Sequence, residues 1–158
     1  MKLFKKAKKG FTLVELVVVI AVIAILAAVS VGAYFGVTES AKNSQAQQEG
    51  KAVHTNIVLI ANDPANSKIA TFGKTGVTIE NGGDFEDKLE AAVGSVDYLI
   101  NGVDGADEAD TNKTYDATLT FKGTDKLFTK FSYTISSGHV AYFNLVTGEQ
   151  IDATAFNA

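Results

Sequence analysis

The first third of the chain changes character twice. Up to Gly10 lysines crowd the sequence (Lys2, Lys5, Lys6, Lys8, Lys9), and from Phe11 to Thr38 the only side chain charged at neutral pH is Glu15. From Glu39 to Ile60 the polar residues Lys42, Asn43, Gln45, Gln47, Gln48, Glu49 and Lys51 interrupt an apolar stripe at Val37, Ala41, Val53, Ile57 and Ile60. Apolar positions three and four apart mark one face of a helix, so one long helix is expected to start lipid-compatible and become amphipathic. Asn62, Asp63 and Pro64 should end it, because the residue before a proline resists helical geometry. A helix from Phe11 to Ala61 would be about 77 Å long at about 1.5 Å per residue. That exceeds a small domain, and the expected shape is a ladle with the head on the far half of a shaft.

Beyond the helix the period shortens. Ile69 to Phe72 and Val77 to Ile79 read as short strands with Gly73 and Gly76 between them. A short helix follows, with Asp84 as its expected N-cap, Phe85, Leu89, Ala92 and Val93 as its apolar face, and Gly94 as its end. Strands are expected at Thr114 to Lys122, Leu127 to Ser136 and His139 to Val146, with a tight turn at Ser137 and Gly138. The expected core of the head draws on Phe72, Phe85, Leu89, Leu119, Phe121, Phe128, Phe131, Tyr133, Ile135, Tyr142, Phe143 and Leu145. The fold class is α+β: a long N-terminal α-helix, half transmembrane and half amphipathic, packed on a small antiparallel β-sheet head.

The apolar run changes the picture from fold to location. From Phe11 to Thr38 a helix is about 42 Å long, against a hydrocarbon core of about 30 Å. A charge at the middle of such a helix costs about 2.5–3.5 kcal/mol on insertion scales, and less toward the ends. Glu15 therefore needs a partner or a purpose. Five lysines before the run place the N-terminus in the cytoplasm by the positive-inside bias, with the remainder exported.

These residues also carry a resemblance. A short basic leader ending in Gly10, followed by Phe11, Thr12, Leu13, Val14, Glu15 and Leu16, resembles the class III leader of type IV pilins and pseudopilins. The resemblance covers roughly the first 30 residues. It implies cleavage of the bond between Gly10 and Phe11 by a membrane-embedded prepilin peptidase, N-methylation of Phe11, and a role for Glu15 in pairing with the N-terminal ammonium of a neighbouring subunit. Opposite charges in a low-dielectric setting offset each other's desolvation, which gives that pairing a physical basis. It further implies partners: other copies of the chain, an assembly ATPase and a platform membrane protein. Many members carry a proline near the place held here by Gly32. Gly32 and Gly36 weaken a helix less than proline does, leaving open either local melting or close helix packing.

The domain reading that follows is 1–10 as a removable leader, 11–38 as the transmembrane and filament-core helix, and 39–158 as the head. A different reading takes the N-terminus as an ordinary secretory signal, with Ala28, Val29 and Ser30 as a small-x-small site before Val31. That would release a secreted binding domain, and the same run left uncut would instead anchor one in the membrane.

The whole chain has a net charge of −4 from 14 Lys and 18 Asp and Glu; without the five leader lysines, nine lysines face 18 acids, a net charge of −9. There is no arginine, and a surface this acidic offers little footing for direct binding of nucleic acid. Cysteine is absent, so the head is held by packing, a bound ion or neighbours, not by a disulfide.

Chemistry in the head is sparse. His54 and His139 belong to no metal spacing or nucleophile motif and read as structural or surface residues. Asp104, Asp107, Glu108 and Asp110 lie close together beside Gly102 and Gly105. Their spacing is not that of an EF-hand; the cluster reads first as a solvated acidic surface, with calcium as the alternative. Asn112, Lys113 and Thr114 form a glycosylation acceptor pattern. No enzyme chemistry and no required cofactor are expected. The function expected is a structural subunit of a type IV pilus or pilus-like surface filament, held in the cytoplasmic membrane before assembly. A pseudopilin of a type II secretion or DNA-uptake system is the alternative within the same resemblance.

Overall fold

The structure is a computed structural model that describes residues 10–100, 103–104, 116–124 and 126–158, with the backbone alone for 96–100 and 103–104. The chain divides into two compact units, one ending at Ser40 and the other running Ala41–Ala158. The helix α1 (Leu13–Asn62) contributes to both.

In the first unit α1 is rich in β-branched Val and Ile, which are mediocre helix formers in water. A helix satisfies its own backbone, however, and that is the decisive requirement for a segment in lipid. Its few hydroxyls follow the same rule. Ser30 Oγ donates to the Leu26 carbonyl (2.7 Å) and Thr38 Oγ1 to the carbonyls of Tyr34 and Phe35 (3.0 Å each). The helix runs unbroken through Gly32 and Gly36, where an added Cβ would meet nothing. The large apolar side chains from Phe11 to Val37 are exposed, Phe11 at 85% and Val37 at 70%.

In the second unit α1 buries Ala46, Gly50, Val53, Ile57, Ile60 and Ala61. Val53, Ile57 and Ile60 were expected there, but Ala41 and Val37 are exposed, and the stripe continues instead through Gly50 and Ala46. The reason is aromatic bulk on the sheet. β5 (Ala117–Thr124), β6 (Leu127–Ile135) and β7 (Val140–Asn144) are antiparallel neighbours whose register sets Phe121 opposite Phe131 and Phe131 opposite Phe143. The result is a row of rings across three strands, with centroids 6.0 and 5.1 Å apart, extended by Phe128 and Phe85 packed edge-on against Phe121. All five phenylalanines are fully buried or nearly so. Where α1 meets the Phe143 end of this row, its own residue is the smallest available, Gly50.

Gly50 shows the consequence. A Cβ at this position would overlap the Phe143 ring. Replacing glycine by alanine within a helix normally gains about 0.5–1 kcal/mol, whereas overpacking a core costs about 1–3 kcal/mol. Overpacking wins here. Gly50→Ala should lower the melting temperature of the head by about 5–10 °C in a thermal unfolding experiment; a higher melting temperature would mean that Phe143 yields without cost.

The remaining elements complete one eight-stranded sheet. β1 (Ala70–Phe72) pairs with β2 (Val77–Ile79), which meets the start of β6 at Val77 opposite Phe128. β7 uses the other end of that same β6 edge. α2 (Gly82–Val93) is capped by Asn81, not by Asp84 as expected. Asn81 Oδ1 accepts from the Asp84 N–H at 3.3 Å while its Nδ2 donates to Asp84 Oδ2 at 2.7 Å, so Asp84 occupies the reciprocal place inside the first turn. Gly94, with φ +93°, ends α2 as expected. It leads into β3 (Val96–Ile100), which lies parallel to β5 and pairs with β4 (Val103–Asp104). Among the described residues this is the one parallel pairing; the other strand pairs are antiparallel. The β6–β7 turn places Gly138 at φ +83° with its N–H on the Ile135 carbonyl.

Tyr142 departs from the expected core. Ala141 and Phe143 point inward, so Tyr142 takes the opposite face, where it packs at 5.0 Å on Phe156. Phe156 comes from α3 (Ala153–Asn157), which follows β8 (Gln150–Ile151) and is capped by Asp152. Phe72 is partly buried against the core, and the other expected core residues are buried.

The phenol of Tyr133 is strongly perturbed in the folded head. Burial first, and then the neighbouring Glu49, whose Oε2 accepts from the phenol at 3.1 Å, push its ionisation well above the ordinary tyrosine range. An unfolded tyrosine ionises near about pH 10. Below that the stabilisation is complete; above it the unfolded chain releases a proton that the folded head retains, and stability falls as pH rises. Denaturant unfolding from pH 9 to 12 should show a steeper alkaline loss for the natural head than for Tyr133→Phe. Identical slopes would remove Tyr133 as a contributor.

Candidate assembly site

Gly10 and Phe11 precede the helix, Thr12 flanks it and Leu13 opens it. The first turn of a helix leaves backbone N–H groups without partners, and Ser or Thr three residues before Glu can satisfy them reciprocally. Thr12 and Glu15 do so. The Thr12 N–H donates to Glu15 Oε2 at 2.9 Å, Thr12 Oγ1 donates to the same oxygen at 2.8 Å, and the Glu15 N–H donates to Thr12 Oγ1 at 3.2 Å. The Leu16 N–H closes the first helical turn on the Thr12 carbonyl at 3.2 Å. A carboxylate in the first turn also complements the helix dipole.

Glu15 is thus the sole acid of an exposed apolar face, held by its own helix start. Around it Phe11, Leu13, Val14 and Leu16 are all exposed. Gly10 has open space where a side chain would be, so nothing in the described chain requires glycine at that place. Among the described residues α1 is the one helix long and apolar enough to cross a membrane. The chemistry available at this end is a carboxylate in an apolar setting, able to accept a cation.

The structure places Gly10 and Phe11 just before the helix and Glu15 in its first turn, and adds Thr12 as the residue bonded to that acid. The Thr-x-x-Glu spacing was readable, as it is a recognised helix-start pattern. The leader lysines lie outside the described residues. So do Asp107, Glu108 and Asp110; Asp104 lies in β4 with only its backbone described, and the calcium reading therefore stays an expectation. The same holds for the pattern Asn112, Lys113, Thr114. Among the described residues no group of three or more His, Cys, Asp or Glu could hold a metal ion.

The two histidines have structural surroundings. His54 Nε2 lies 2.9 Å from the Leu145 carbonyl, and its ring stacks over Phe131 with centroids 6.3 Å apart. Gly148, at φ +70°, lets the following turn close on that ring. His139 Nδ1 lies 3.0 Å from Ser137 Oγ within the hairpin turn.

Residues 5–31 match the family described as the prokaryotic N-terminal methylation motif, the class III prepilin leader of type IV pilins and pseudopilins. The match spans Gly10, Phe11, Thr12 and Glu15. No curated protein and no solved structure matches the chain. The motif and the apolar helix support a type IV pilin-like or pseudopilin subunit, anchored in a membrane before assembly into a filament. The motif points to a structural subunit, and the leader implies processing by a prepilin peptidase.

Proposed function

We propose that this chain is the structural subunit of a type IV pilus or pilus-like surface filament. The prepilin peptidase cuts between Gly10 and Phe11 on the cytoplasmic side and methylates the new Phe11 amine. The subunit waits in the cytoplasmic membrane with its N-terminus inside, and an assembly ATPase with a platform membrane protein drives it into the filament. Glu15 receives the Phe11 ammonium of a neighbouring copy, and the apolar half of α1 then packs against the same half of other copies.

One observation carries this reading: an exposed apolar helix face whose single charge, Glu15, sits at the end next to the motif's glycine. A helix of this composition in water or on its own would be a liability; in a membrane, and then among copies of itself, its side chains find apolar surroundings.

The head should not polymerise. Its core is built from residues beyond Ala41, and a chain of 41–158 loses the exposed apolar face while keeping the buried residues of α1. Expressed alone it is expected to be soluble and to run as a monomer in sedimentation, whereas the full cleaved chain forms filaments. Filaments grown from 41–158 alone would place polymerisation in the head and contradict the proposal.

A further inference from the structure

We propose that Thr12 is a positioning residue for assembly, one that presets the Glu15 carboxylate to receive a neighbour's ammonium. The inference rests on the pairing role of Glu15 given above and adds a residue and a geometry to it. Both hydrogen bonds donated by Thr12, from its N–H and its Oγ1, end on one oxygen, Oε2. The other oxygen, Oε1, has no partner among the described residues.

That division matters physically. A carboxylate within an apolar segment is poorly tolerated without donors, and the two from Thr12 supply them before any neighbour arrives. A glutamate side chain is otherwise free over several torsions, and ordering it is a cost that an incoming amine would have to bear. Here the side chain is ordered in advance. The bonds to Oε2 fix its orientation, and the open oxygen is the one that can accept the charge-assisted bond from the ammonium. The hydroxyl of Thr12 works in two directions at once: it donates to Oε2 and accepts from the Glu15 N–H, so the helix start and the acid's orientation are set by the same group.

Valine matches threonine in shape and branching but can do neither. Serine can do both. Aspartate, ionised, can accept from the Glu15 N–H and keep the helix start but cannot donate to Oε2. The three variants, with Glu15→Ala in parallel, separate positioning from mere capping. Filament growth is followed in cells carrying the full chain and its assembly machinery, and scored per cleaved, methylated subunit in the membrane as counted by mass spectrometry. Thr12→Val is expected to slow assembly about tenfold, the effect of losing the positioning bond from the hydroxyl to Oε2. Thr12→Ser should restore it, and Thr12→Asp should not. Assembly by Thr12→Val at or above the natural rate, or rescue by Thr12→Asp, overturns the positioning role. If Glu15→Ala is blocked while Thr12→Val assembles normally, only this inference falls; normal assembly by Glu15→Ala overturns the pairing and the inference together.

Discussion

Glu15→Ala should leave a cleaved, membrane-held subunit at normal levels and abolish filaments. The substitution removes the one charge from the apolar half of α1, and a charge in such a segment costs up to about 2.5–3.5 kcal/mol on insertion scales, so insertion is not impaired. Locally Thr12 loses an acceptor for its N–H and hydroxyl, a loss of about 0.5–1.5 kcal/mol per bond at the start of a long helix. The head is untouched, because every residue of its core lies beyond Ala41. What vanishes, in the proposed pairing, is the acceptor for a neighbour's ammonium. Glu15→Asp keeps the charge on a shorter reach, and partial recovery is expected. Filament counts by electron microscopy, set against subunit levels by immunoblot, read both effects. Filaments of natural number and length from Glu15→Ala would reduce the acid to a helix-start residue.

Gly10→Val should produce the opposite defect, an uncut precursor. Gly10 is exposed and a Cβ there meets nothing, so the chain itself tolerates the change; in the proposed processing the constraint comes from outside, from the peptidase that must fit the bond between Gly10 and Phe11. The precursor keeps five lysines at its N-terminus, and its Phe11 nitrogen remains a peptide nitrogen that carries no positive charge. Assembly should therefore fail together with processing. Intact-mass measurement of the membrane fraction should find essentially all of the chain at precursor mass. Normal cleavage of Gly10→Val would show that the leader is read in another way.

Much of this was legible along the chain, and the physical reasons differ by element. The long helix and its end at Asn62 were readable because apolar spacing and a turn before Pro64 act locally. Alternation likewise marked β5, β6 and β7, since a half-buried strand shows its two faces in its own sequence. The course of the stripe on α1 was not readable at Ala46 and Gly50. Which small residues face the sheet depends on the ring row Phe121, Phe131 and Phe143, and that row exists only through strand register. Tyr142 was assigned to the core as an aromatic residue, although its place between Ala141 and Phe143 puts it on the other face. β8 and α3 are too short for periodicity to show, and β3 is held by a parallel partner distant in sequence. At the assembly site Gly10, Phe11 and Glu15 stood out as a glycine, a first apolar residue and a lone acid. Thr12 did not, although its three-residue spacing to Glu15 is a recognised helix-start pattern, because the apolar run and the lone acid dominate that stretch and the hydroxyl's bond to the carboxylate shows only in the structure.

The most direct test is the N-terminus of the chain in surface filaments sheared from cells. Peptide mass spectrometry should find a chain that begins at N-methylated Phe11, with Glu15 and the apolar half of α1 retained. A mature chain beginning at Val31, or no filament containing the chain, would contradict the account.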